Sequence, residues 1–78
     1  MREKKLRVVV TFHTTAEAMA TEQLCKAKGL AGKLISAPRS LSADCGIAWS
    51  APAELKETLA CAIGQAHIEI DAIHELTL

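Results

Sequence analysis

The run "LRVVVTFH", residues 6–13, abuts "TTAE", residues 14–17, with no linker between them. The valines, the threonine and the phenylalanine are β-branched or aromatic, and the run is too short for a typical helix. It therefore predicts a buried first strand over 6–13. Thr14, followed three residues later by Glu17, forms a capping box, in which each side chain bonds the other residue's backbone N–H. The segment "TTAEAMATEQLCKAK", residues 14–28, favours a helix, and Gly29 supplies its stop.

Beyond that junction, "AGKLISA", residues 31–37, predicts a short strand closed by Pro38. "GIAWS", residues 46–50, is its hairpin partner across the polar loop "PRSLSADC". Pro52 stands near the start of a second helix with the apolar stripe Leu55, Leu59, Ala62, Ile63 and Ala66, and Gly64 begins its end. "HIEIDAIHEL", residues 67–76, alternates at Ile68 and Ile70 and slips at Ala72 and Ile73. That pattern predicts a last strand with a bulge or with both faces partly covered. The order strand, helix, strand, strand, helix, strand, in a single domain over 1–78, predicts an α+β, ferredoxin-like βαββαβ two-layer sandwich. Its four-stranded antiparallel sheet takes the order 4-1-3-2, with two helices on one face.

Composition narrows the function classes. Apolar residues make up 50% and charged residues 23%, enough apolar material for a packed core. Nine basic residues balance nine acidic ones, and Phe12 and Trp49 alone are available for stacking, so no nucleic-acid partner is expected. The charges "REKK" precede only a short apolar run, which predicts neither a signal peptide nor a membrane span and makes the expected location cytoplasmic. Cys25, Cys45 and Cys61 lie at wide spacings, and His13, His67 and His74 lack ligand spacing, so no disulfide framework, metal or cofactor is expected.

Followed through the predicted topology, the chain brings Cys45 to one end of the sheet. His13, the amino end of helix one at Thr14, and the loop carrying Arg39 reach the same end; His67 is expected there too, and His74 at the opposite end. A thiol with a pKa of about 8.5 is only about 3% ionised at neutral pH, and a helix amino end or a cation raises that fraction. Helix-one N–H groups, His13 and Arg39 would favour a Cys45 thiolate, and Asp44 would oppose it. The alternative is that Cys45 fills space beside a glycine turn, with Pro38, Ser42 and Gly46 serving as turn residues. Cys25 reads as core or boundary packing, and Cys61, on the side of Glu54 and Glu57, as a partly exposed spectator. His13 reads as a hydrogen-bonding strand end rather than a base, since no partner carboxylate is visible in the sequence, and Trp49 reads as core or interface.

From about residue 6 to residue 76 the chain resembles the selenium/sulfur (Se/S) carrier protein-like family. The resemblance is carried most specifically by Pro38-Arg39-x-Leu41-Ser42-x-x-Cys45-Gly46 and by Phe12-His13-Thr14. It implies that Cys45 holds sulfur or selenium as a persulfide or perselenide. The donor would be an enzyme such as a cysteine desulfurase or selenocysteine lyase, and the acceptor is not named by the resemblance. Such a protein is a carrier rather than a stand-alone catalyst. A second reading is a small regulatory module in which Arg39, Ser40 and Ser42 bind an anion and Cys45 only packs. Either is compatible with a homodimer through the sheet face that the helices leave open.

Overall fold

The computed structural model describes residues 5–38, 41 and 46–77. Among these, the chain runs β1 (Leu6–Thr11), α1 (Thr15–Lys28), β2 (Lys33–Ser36), β3 (Ile47–Pro52), a short 3-10 turn (Ala53–Leu55), α2 (Lys56–Gln65) and β4 (Ala72–Thr77). The strands lie in the order β2-β3-β1-β4, which is 4-1-3-2 read from the other edge, and every neighbouring pair is antiparallel. This is the ferredoxin-like α+β layout that the order of elements predicts.

β1 owes its central place to its side chains. Alternation sends Val8 and Val10 toward the helices, where with Phe12 they join Ala18, Cys25, Trp49, Ala51, Leu59 and Ile63 in one core cluster. On the opposite face Val9 and Thr11 are fully buried as well, beside Ala48 and Ser50 of β3. Arg7, one pair further along, crosses diagonally from β1 to β3, and its Nε donates to Ser50 Oγ at 2.8 Å. The face away from the helices thus carries Val9, Thr11, Ala48 and Ser50 at its centre, with Arg7, Lys33 and His74 but also Ile35 and Leu76 around them, and Trp49 is on the helix side.

The two helices end by the same device. At the end of α1, Leu30 N–H donates to Cys25 O and Gly29 N–H to Lys26 O, and Gly29 sits at φ 68°. At the end of α2, Ile68 N–H donates to Ile63 O and His67 N–H to Gly64 O, and His67 sits at φ 57°. Both are Schellman closures, in which the residue after the left-handed position packs back onto the last turn. Leu30 and Ile68 are the residues that do so, each against the core cluster that holds Cys25 and Ile63. His67 takes the place that glycine holds in α1, at the steric cost of a Cβ in the left-handed region.

Several boundaries differ from those predicted. The first strand stops at Thr11 rather than His13, and β3 runs on to Pro52, opposite Arg7, where the proline also caps the 3-10 turn that leads into α2, near the helix start as expected. Gly64 lies inside α2; Leu59, Ala62 and Ile63 of the stripe are buried, Leu55 is half-buried and Ala66 is exposed. The last strand begins at Ala72, because Ile68 is engaged by the helix closure. It carries no bulge: its pairing with β1 is continuous from Leu6↔Thr77 to Thr11↔Ala72. His74 therefore faces Val9 in the middle of the sheet, not its far end.

Two substitutions test this packing. A Cβ on Gly32 would meet the Trp49 ring at 2.6 Å, with the backbone at φ 154°. Gly32→Ala is expected to destabilise the domain by roughly 1–3 kcal/mol, as overpacking does. His67→Gly, which relieves the left-handed Cβ, is expected to stabilise by about 0.5–1 kcal/mol. Urea unfolding followed by the fluorescence of Trp49 measures both.

Candidate functional site

Thr11 marks one end of the sheet, paired with Ala48 of β3 and Ala72 of β4. His13 lies two residues beyond it, Gly46 two residues before Ala48, and Asp71 one residue before Ala72. α1 begins at this end at Thr15, and the turn after α2, with His67, delivers the chain to β4 here.

Asp71 is held by three contacts. Its backbone N–H donates to Thr11 O at 2.8 Å, extending the ladder by one bond, and its Oδ2 accepts from Thr11 Oγ1 at 3.1 Å. The other oxygen, Oδ1, lies 3.9 Å from His13 Nε2, an ion-pair distance that is too long for a hydrogen bond. On the far side of Thr11, its Oγ1 is 3.5 Å from His74 Nε2, and it also reaches Ala72 O at 3.4 Å. With the hydroxyl proton given to the carboxylate, His74 is the donor to Thr11. The polar chain His74, Thr11, Asp71, His13 then runs from the open sheet face to the end of the sheet. Thr11 is fully buried within it, whereas the His13 side chain is 50% exposed.

At the start of α1 the predicted capping box is present. Glu17 N–H donates to Thr14 Oγ1 at 3.4 Å and Thr14 N–H donates to Glu17 Oε1 at 3.0 Å. Thr14 and Glu17 are thereby tied to each other at the helix start. Two backbone donors are already used, and the Glu17 carboxylate sits where the helix dipole would otherwise attract an incoming anion.

Gly46 is exposed, at φ 73°, and its carbonyl accepts from Ala37 N–H at 2.9 Å, closing the base of the loop between β2 and β3. Arg39, Ser40, Ser42, Asp44 and Cys45 lie outside the described residues. Of the predicted site, the structure brings together His13, Thr14 and Gly46, and it adds Asp71 and Thr11, which the sequence analysis missed. The signal for Asp71 was its place just before the last strand. Once that strand starts at Ala72, the adjacency of strands four and one sets Asp71 beside Thr11.

The other two thiols have different surroundings. Cys25 is fully buried in the core, and burial pushes its thiol pKa up. Cys61 is exposed on α2, in a shallow groove with Lys28, Glu57 and Thr58. Trp49 belongs to the core at 2% exposure, and its Nε1 has no hydrogen-bond partner among the described residues. Among the described residues, no group of three or more His, Cys, Asp or Glu is arranged to hold a metal ion. Among them too, no helix is long and apolar enough to cross a membrane.

Fold and site together define a ferredoxin-like α+β domain whose polar end gathers residues from the ends of several elements. A family model described as "Putative Se/S carrier protein-like" matches residues 7–75, from β1 into β4, and the chain belongs to that family. Comparison with curated proteins and with solved structures gives no match.

The raised Cys25 pKa sets a pH dependence. The unfolded chain loses the thiol proton near its ordinary value of about 8.5, while the folded chain still holds it, so stability is full below that pH and falls as pH rises above it. Unfolding curves at pH values from about 7 to 10 are expected to show this decline, and Cys25→Ala to flatten it. An unchanged slope in the variant would show that other groups cause the decline.

Proposed function

We propose that this protein carries sulfur or selenium on Cys45, as a persulfide or perselenide taken from a donor enzyme and passed to an acceptor protein. The observation that supports the reading is the family match over 7–75, which spans the sheet and includes Cys45 together with His13, Thr14 and Gly46. In loading, the Cys45 thiolate attacks the outer sulfur of a donor persulfide, the donor S–S bond breaks, and the donor cysteine leaves as a thiolate. Unloading is the same exchange with an acceptor thiolate attacking, and neither step involves net oxidation. Arg39 and Ser42 are the proposed contacts of the anionic cargo, by charge and by hydroxyl donation. We place this carrier in the cytoplasm, as one domain, with a cysteine desulfurase or selenocysteine lyase as donor.

Incubation with a cysteine desulfurase and cysteine, or a selenocysteine lyase and selenocysteine, is expected to add one sulfur or selenium atom, seen by intact-protein mass spectrometry. Dithiothreitol removes the added mass, and Cys45→Ser abolishes it. Equal loading of the Cys45→Ser variant would overturn the assignment and favour the anion-binding module instead.

A further inference from the structure

We propose that the sheet face away from the helices carries an oxyanion site, formed by Arg7 and Lys33 with Ser50 holding Arg7 in place, and that its ligand is a phosphate group. The site involves no residue of the carrier chemistry and does not rest on that reading. Arg7 lies diagonally across from Ser50, and its Nε donates to Ser50 Oγ at 2.8 Å. Lys33 is the residue of β2 directly opposite Ser50. Opposed residues share a face with their Cβ atoms about 4.5–5.5 Å apart, so Lys33 flanks from β2 the serine that Arg7 reaches from β1.

The bond to Ser50 decides what Arg7 has left to offer. Its Nε–H is used, and the N–H groups of both Nη nitrogens remain, a fork that fits two oxygens of one anion. Arg7 is half-buried, between Pro52 and Leu76 in its row of the sheet, and neither it nor Lys33 has an ion-pair partner among the described residues. A cation partly withdrawn from water among apolar neighbours lacks a counter-charge, and an anion supplies it. The carboxylates of this side of the molecule lie elsewhere. Asp71 is tied to Thr11, four residues along β1 from Arg7 and so about 13 Å away, and Glu54 shares a cleft with Lys5 and Arg7 without pairing to either. His74 stands across Val9 from Ser50, with its Nε2 3.5 Å from Thr11 Oγ1. Two full positive charges match a phosphate group, which carries about −1.5 to −2 at pH 7, whereas a carboxylate would leave one of them unanswered. A second copy of this face would bring the same two cations against them.

The test is 15N NMR of the whole chain titrated with inorganic phosphate, with glycerol 3-phosphate, and with sodium chloride at equal ionic strength. Both phosphates are expected to give saturable shifts at Arg7 Nε–H and at the backbone amides of Lys33 and Ser50, and chloride none that saturates. Arg7→Gln and Lys33→Gln are each expected to weaken binding roughly tenfold, the loss of one charge-assisted contact. In Ser50→Ala, Arg7 Nε–H is expected to exchange faster with water, and binding to weaken by less. Shifts that fail to saturate, or that chloride reproduces, would overturn the site as mere screening of surface charge. Unchanged phosphate affinity in Lys33→Gln would overturn it too, and that variant, at an exposed position, decides alone should Arg7→Gln not fold. Unchanged exchange in Ser50→Ala would overturn the part given to Ser50. Shifts on this face that follow protein concentration without phosphate would give it to a second copy instead. Tighter binding of the ester than of phosphate makes the ligand a phosphorylated small molecule, equal or weaker binding makes it the free ion, and either supports the site.

Discussion

β1 is hydrogen-bonded along both edges, to β3 through Arg7–Thr11 and to β4 through Leu6–Thr11, and the positions of the other elements follow from that double ladder. A one-residue slip on either side would exchange its two faces, moving Val8 and Val10 out of the core and bringing Thr11 with its hydroxyl under the helices. The cost would fall on both sides at once, since Val9 and Thr11 are as fully buried on their face as Val8 and Val10 are on theirs. Register is therefore pinned by packing above and below the same strand. The end of the sheet inherits that precision, because Thr11 contributes both a carbonyl and a hydroxyl to Asp71. The ion pair between Lys56 and Glu75, exposed at 2.7 Å, adds little by comparison.

What could be read from the sequence was decided by how far apart the partners lie along the chain. The capping box joins Thr14 to Glu17 within a single turn, so its pattern is visible without any fold. The order of elements came through for a similar reason, each element being announced by its own residues. Ile68 and Ile70 misled because alternation has more than one cause. Ile68 packs as the hydrophobic partner of a helix closure, donating its N–H to Ile63 O, yet in sequence it looks like the start of a strand. A non-glycine residue in the left-handed position, His67, removed the one residue type that would have marked that closure. Thr11 and Asp71, separated by 60 residues, meet only because β4 lies beside β1, so no local pattern announces them.

The described part of the site bears on which physical effect a carrier of this kind could use. A bare helix amino end would stabilise a thiolate or persulfide by its dipole, but α1 has spent its Thr14 and Glu17 N–H groups on its own cap and holds the Glu17 carboxylate in its first turn. Asp71 adds a second negative group nearby in the fold. Two carboxylates make a poor electrostatic cradle for an anion unless a proton-bearing group stands between them and it. His13 Nε2 faces one of them, Asp71 Oδ1, at 3.9 Å. Within the carrier reading, the described residues at this end therefore offer an anion little attraction by field alone. In the carrier reading the proposed contacts of the anion are then Arg39 and Ser42, a guanidinium and a hydroxyl that can donate to it, with Asp44 of the same loop as the carboxylate that opposes them.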